Sequence, residues 1–179
     1  YTRDMLRLEA ACFLFDVTGA TKYRDYFDAH YTDCHLMQWT FAYPYEITNQ
    51  EALLYYTTIQ DGTTVVRENI KDKYRTAMLS NDPNFKAYDG IRDPYFAFLD
   101  SYTWGSNRIK SAHGMMYADL VNYNINPATD EKAMDAALVY VNYLHGVNPL
   151  SLVYLSNMYD FGGKNCVNEF YHSWFTDGS

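Results

Sequence analysis

Apolar residues recur along this chain with a period close to 3.6, the spacing that places them on one face of a helix. Met5, Leu8, Cys12 and Phe15 follow the i, i+3, i+4 rule, and Gly19 stands where a residue tolerant of positive φ would end that helix. A second helix is expected at once, from Thr21 to His30, making a tight hairpin. Thr48, Asn49, Gln50 and Glu51 have the spacing of a capping box and predict the start of a third helix. A fourth is expected over 64–79, with Val66, Ile70, Tyr74 and Met78 on one side, stopped by Asn81-Asp82-Pro83-Asn84. Ile109, His113, Met116 and Leu120 share a face of the next. Asn126-Pro127 then breaks the chain before a helix carrying Met134, Ala137, Leu138, Val141 and Leu144 as its apolar residues. Asp130 and Glu131 suit the positive end of its dipole, and His145-Gly146 with Asn148-Pro149 end it. The short run Leu152, Val153, Tyr154 and Leu155 is the one strand candidate.

The period fails over 85–106 and again over 159–179. The first stretch holds Tyr88, Tyr95, Phe96, Phe98, Tyr102 and Trp104. A long loop with many large rings is costly to order unless it packs on something or binds something. The pattern is therefore all-α: antiparallel helical hairpins joined alternately by tight turns and long aromatic loops. That alternation suits an α/α toroid with a cleft on one rim, and it predicts that both aromatic loops lie at the same end. A plain helical bundle satisfies the periodicity equally well.

Composition narrows the function. A chain of 179 residues with 48% hydrophobic and 20% charged positions fits one domain, 1–179. No apolar run approaches the ~18 residues of a membrane span, so no membrane is expected as a partner. Fourteen basic and 22 acidic residues give a net charge of −8, without any Lys/Arg cluster. This argues against nucleic acid and leaves a neutral polysaccharide permitted. Aromatic residues make up 18%, with 19 Tyr, 10 Phe and 3 Trp. Their flat apolar faces and polar edges suit sugar rings, although core packing is the commoner use of any one Tyr. Cys12, Cys34 and Cys166 lack metal-type spacing, and Cys12 reads as a small buried hydrophobe. No cofactor and no metal site is expected.

Among the polar candidates, His113 lies on an apolar face and reads as a core residue, while His145 and Asn148 read as fixing a turn. Tyr43-Pro44-Tyr45 and Tyr55-Tyr56 can line a cleft, but their spacing does not demand it. Asp93, Asp100, Glu169 and Asp177 fall on expected loops. Neighbouring surface carboxylates are commonplace among 22 acids, and none of these is read as catalytic.

Four segments carry a family resemblance. Leu8-Glu9-Ala10-Ala11 through Thr18-Gly19 and Tyr23 form a helix-Thr-Gly-helix pattern. Tyr102-Thr103-Trp104-Gly105-Ser106-Asn107 contains Trp-Gly-Ser-Asn. Tyr143-Leu144-His145-Gly146-Val147-Asn148-Pro149-Leu150 follows, then Asn168-Glu169-Phe170-Tyr171-His172-Ser173-Trp174-Phe175. In this order and spacing they resemble glycoside hydrolase family 9, endoglucanases and cellobiohydrolases with an (α/α)6 barrel.

The resemblance implies part of such a barrel and a secreted, extracellular enzyme that hydrolyses β-1,4-glucosidic bonds with inversion. The implied partners are a β-1,4-glucan, cellulose or a soluble cello-oligosaccharide, and the remainder of the catalytic domain. His172 is implied as an auxiliary active-site histidine bonded to a glucose hydroxyl. Trp104, Tyr171 and Trp174 are implied to bind substrate, Trp104 either as a stacking platform or as a packing residue beneath the cleft. The family's base motif would precede Tyr1 and its acid Glu would follow Ser179. The chain alone is therefore expected to be inactive and to leave apolar helix faces bare. The usual His-His-Arg stands here as Tyr171-His172-Ser173, without the Arg. A structural calcium is possible in the intact enzyme, but Asp4 alone is a poor substitute for its ligands. Two alternatives remain open: a non-catalytic helical carbohydrate-binding or scaffold domain, and a different α/α-toroid glycosidase or lyase.

Overall fold

Helix α1 (Thr2–Thr18) ends at Gly19, whose backbone sits in the left-handed region at φ 64° and whose N–H donates to the Phe15 carbonyl. After Ala20 the chain turns directly into α2 (Thr21–His30), as the sequence predicts. The computed structural model describes residues 1–81, 93–99 and 102–167. Over these the remaining helices are α3 (His35–Gln38), α4 (Ile47–Tyr56), α5 (Thr64–Thr76), α6 (Ser106–Asn122) and α7 (Asp130–Leu144). Among the described residues there are seven α-helices and no strands. The strand candidate at Leu152–Leu155 makes only isolated bridges, from Val153 to His145 and to Cys166.

Two other expectations are corrected. The capping box does not form: a 3-10 turn over Pro44–Glu46 leads straight into α4, so Thr48 already lies inside the helix. The proline presets φ and starts the turn before the threonine is reached. On α7 the large apolar residues are not the buried ones. Met134, Leu138 and Val141 are 37%, 49% and 44% exposed, while Ala133, Ala136, Ala137, Tyr140 and Tyr143 are buried. The cause is the close approach of α6. A β-carbon on Gly114 would stand 3.1 Å from Cβ of Tyr140, so the seam between these helices has room mainly for alanines. Met115, Met134, Leu138, Val141 and Leu144 instead border an open groove of about 340 Å³. A second groove, of about 450 Å³, runs between α1 and α2 past Ala10, Leu14 and Tyr23. Bare apolar faces are thus present, as the sequence predicts.

Helices α1, α4 and α6 pack side by side, α2 returns along α1 and α7 along α6, and the end of α5 packs on α6 and the turn after it, where Arg75 bonds the Ile125 carbonyl. The core between these helices is rich in tyrosine. Tyr56 stacks on Phe27 at 3.9 Å and its hydroxyl donates to Asp28, while the Tyr74 hydroxyl donates to the Met116 carbonyl. Val66, Ile70, Tyr74 and Met78 are all buried, although the α-helix ends at Thr76 and a π turn carries the chain on through Ala77–Asn81. Ile109, His113, Met116 and Leu120 share a buried face as expected. All three cysteines are buried and free, and burial pushes the Cys12 thiol up to about 12 and the Cys34 thiol up to about 11, so neither is reactive.

The face shared by α1, α4 and α6 is acidic. Glu9 lies near Glu51, and Glu51 near the buried Asp119. Burial, and then the Glu51 charge, push the Asp119 carboxyl up to about 7. A carboxyl raised in the folded state binds its proton more tightly there than in the unfolded chain, so its ionisation works against folding. The cost is absent at pH 4, grows as pH rises towards 7, and is complete above that. Asp119→Asn is expected to unfold like the parent near pH 4 but to be more stable at pH 8, by on the order of 2–4 kcal/mol. Urea unfolding of both proteins at the two pH values checks this; a variant that loses stability at pH 8 would contradict it.

Candidate functional site

Because α1, α4 and α6 run in the same direction, their N-termini share one rim. The turns at 19–20 and 123–129 lie at the opposite ends of α1 and α6, and the end of α5 reaches the second of them, where Nε of Arg75 donates to the Ile125 carbonyl at 2.9 Å. The predicted alternation of tight turns on one rim and long connections on the other therefore does not hold at α5, because the 77–105 connection leaves from beside the 123–129 turn.

The connection from 31 to 46 contributes a line of rings. Tyr1 stacks on His35 at 3.8 Å, and His35 stacks on Trp39 at 4.0 Å. Trp39 and Phe41 are 5.3 Å apart, Phe41 and Tyr43 6.2 Å, and Tyr43 and Tyr45 5.1 Å. Glu46 anchors the start of this line, accepting from the Tyr1 hydroxyl at 2.7 Å and sitting 2.8 Å from Nδ1 of His35. The hydroxyl of Tyr45 meets Oγ1 of Thr103 at 3.4 Å, which brings the line to Trp104. Trp104 is 88% exposed. Gly105 follows at φ 79° and caps α6, so the Trp-Gly-Ser-Asn segment is where the connection turns into the helix.

The connection after α7 is built around one side chain. Asn148 is buried, and its Nδ2 donates to the carbonyls of Tyr143 and Leu152 at 2.7 and 2.8 Å. Its Oδ1 accepts from the N–H groups of Leu150 and Leu152 at 3.1 and 3.2 Å. All the bonding capacity of the amide goes into holding this turn, as the sequence predicts. The turn keeps Pro149 and Tyr143 against the segment 93–99, where Tyr95 meets Tyr143 edge-on at 6.3 Å. Asn165 and Val167 exchange backbone hydrogen bonds with Val153 beside this turn, so this part of the second aromatic loop lies at the same end as 93–99.

Beneath this end lies Lys110, fully buried. Its ammonium donates to the Ala97 carbonyl and stands over the rings of Tyr143, at 4.0 Å, and Tyr102, at 4.9 Å. Burial pushes it down to about 8, against the opposing pull of Asp93. His113, one turn along α6, is buried near Tyr140, and burial followed by the Lys110 charge holds it at about 4, which keeps it neutral. Its role is in the core.

Of the other candidates, Tyr43 and Tyr45 belong to the aromatic rim. Tyr55 and Tyr56 do not: they bond to Asp16 and Asp28 further along the helices. His172, Tyr171 and Trp174, with Glu169, Asp100 and Asp177, lie outside the described residues. Among the described residues no group of three or more His, Cys, Asp and Glu could hold a metal ion, and no helix is long and apolar enough to cross a membrane. Sequence reasoning missed Trp39 and Phe41, and Lys110. Trp39 and Phe41 stand at every second position before Tyr43 and Tyr45, and this signal was available. Lys110 gave none, because an isolated lysine near a helix start reads as a surface residue.

Compared with models of known families, residues 3–179 match Glycosyl hydrolase family 9. The chain belongs to that family. Comparison with curated proteins and with solved structures finds no match. Membership of family 9 implies an α/α toroid and a cellulase-type glycoside hydrolase, and it sets aside the alternative of another toroid family. In family 9 terms, the Trp-Gly-Ser-Asn and Asn-Pro-Leu segments of this chain sit at one rim, on either side of Lys110.

Asn148→Ala removes four bonds to the backbone groups of this turn and is expected to cost about 2–4 kcal/mol. The damage should begin locally. Hydrogen exchange at the Leu150 and Leu152 amides is expected to accelerate before the rest of the chain, and uniform acceleration would show that the turn is not the weak point.

Proposed function

We propose that the aromatic rim binds a β-1,4-glucan and that the intact catalytic domain hydrolyses its glucosidic bonds with inversion, outside the cell. One observation carries this reading: Trp104, on a family 9 segment, presents its ring to solvent at the rim beside Tyr102 and Tyr45, which are also exposed. An exposed ring of this size in a fixed backbone is disfavoured unless something covers it. A pyranose ring, with one apolar face and hydroxyls around its edge, matches the requirement. The acidic character of the chain is no obstacle, because the ligand is neutral.

Inversion needs two carboxyl groups about 6.5–9.5 Å apart, one to protonate the leaving oxygen and one to activate water. The resemblance assigns those roles to the family's Asp-rich base motif and its acid Glu. On this reading His172 bonds a glucose hydroxyl near the cleavage point, with Tyr171 and Trp174 as further contacts. The rim described here supplies the platform that holds the glucan while chemistry proceeds.

Calorimetric titration with cellohexaose and maltohexaose tests the platform. The parent is expected to bind the β-linked ligand in preference, and Trp104→Ala to weaken it about tenfold, or ~1.4 kcal/mol. Equal binding of the α-linked ligand, or an unchanged affinity in the variant, would remove the basis for this reading.

A further inference from the structure

Lys110 lies near the start of α6, fully buried under the segment 93–99. Its ammonium donates to the Ala97 carbonyl, and the ring faces of Tyr143 and Tyr102 stand 4.0 and 4.9 Å from it. The segment is held in place at both ends. Oδ1 of Asp93 accepts from the Tyr95 N–H at 2.7 Å, and the Phe98 carbonyl accepts from the Tyr140 hydroxyl at 2.7 Å. Ala97 and Leu99 between and beside these points are buried. Two local costs oppose this seated position. Phe96 is held at φ 57°, a region that non-glycine residues occupy only under constraint. The ammonium has also given up its water, and one carbonyl with two ring faces replaces that hydration only in part.

A segment lying over a charged amine is linked to the proton of that amine. We propose that 93–99 is a proton-linked cover on the rim, lifting from Lys110 while the amine is charged and seating more firmly once it is neutral. With the segment seated, burial brings Lys110 down from the ordinary 10.5 to about 8, against the pull of Asp93. With it lifted, water reaches the amine and restores the ordinary value. The lifted form therefore binds the proton more tightly, so closure strengthens as pH rises through 8 towards 10.5. The neutral amine still has N–H groups for the Ala97 carbonyl. The other titratable groups around it do not share this window. His113, on the same helix, is held at about 4 by burial and then by the Lys110 charge. Burial pushes both Tyr102 and Tyr143 above the ordinary tyrosine value, and Asp93 and Tyr154 add to the effect. Because the Tyr102 ring lies over the same nitrogen, seating the cover also steadies one of the exposed rings beside Trp104. The inference concerns the conformational equilibrium of the chain itself and stands apart from the glucan reading.

The amides of Ala97 and Leu99 report on lifting, since both residues are buried in the seated form. Their hydrogen exchange is measured on the full chain at pH 7, 8 and 9, each rate divided by that of an unstructured peptide at the same pH. Protection is expected to rise about tenfold from pH 7 to pH 9 in the parent. It is expected to be flat in Lys110→Met, which fills similar space without a charge. At each pH it is expected to stay below the protection of Leu54 and Ile70 in the core, because the cover lifts while the helices remain packed. Protection equal to that of the core would make the event global unfolding and overturn the cover. A parent without the rise, or a rise that persists in Lys110→Met, overturns it as well. If the variant does not fold, the carbon-13 shift of Lys110 Cε in the parent decides the matter. A midpoint near 8 supports the cover, and one near the ordinary 10.5 overturns it.

Discussion

The turn at Gly19 and Ala20 reverses the chain within two residues, so α2 must run back along α1. The same reversal recurs at 123–129, where α7 turns back along α6. Parallel packing of α1, α4 and α6 brings their N-termini together on the opposite rim, where Tyr1 bonds Glu46 and Tyr45 meets Thr103. The helices are thus a device for gathering segments far apart in sequence: Tyr45 and Thr103 meet across 58 residues. Rings that would be isolated in any single loop become neighbours. The functional rim follows from chain direction, and no individual loop has to fold on its own to create it.

Tyrosine serves both regions, which is why composition could not separate them. In the core, Tyr56, Tyr74 and Tyr140 are buried, yet each hydroxyl has an acceptor: Asp28, the Met116 carbonyl and the Phe98 carbonyl. A buried phenol is tolerated only with such a partner. The third of these bonds links the two regions, since a core residue of α7 holds the backbone of a rim segment. Lys110 does the same from α6, reaching the carbonyl next along the chain. The rim is therefore part of the packing and not an appendage to it.

The helices were legible because their apolar positions repeat at the helical period and because Gly19 and Asn126-Pro127 punctuate them. Legibility failed where a neighbour decides the outcome. Met134, Leu138 and Val141 look like a core stripe, but Gly114 on another helix brings the backbones so close that alanines take the seam. Thr48 looks like a cap until Pro44 starts the turn earlier. Lys110 cannot be read as buried without knowing that the 93–99 segment will cover it. The role of Asn148 was readable, since an Asn-Pro pair after a helix has few uses other than a turn. Trp104 was legible as a candidate through its motif, whereas its exposure depends on the direction in which Gly105 sends the chain.

A binding surface made of loops normally loses affinity to the entropy of ordering them. Here that ordering accompanies folding. Phe96 in the 93–99 segment and Ser151 in the turn around Asn148 hold positive φ although they carry β-carbons. Each is a local cost that persists only because surrounding bonds over-determine it. Phe96 is braced by the Asp93 turn before it and by the Lys110 and Tyr140 bonds after it, and the turn at Ser151 is braced by four bonds to Asn148. Strain offset within the folded state need not be met again when a ligand arrives. A rim that must take hold of a stiff neutral polymer, with no charge attraction to assist, gains most from being built in advance.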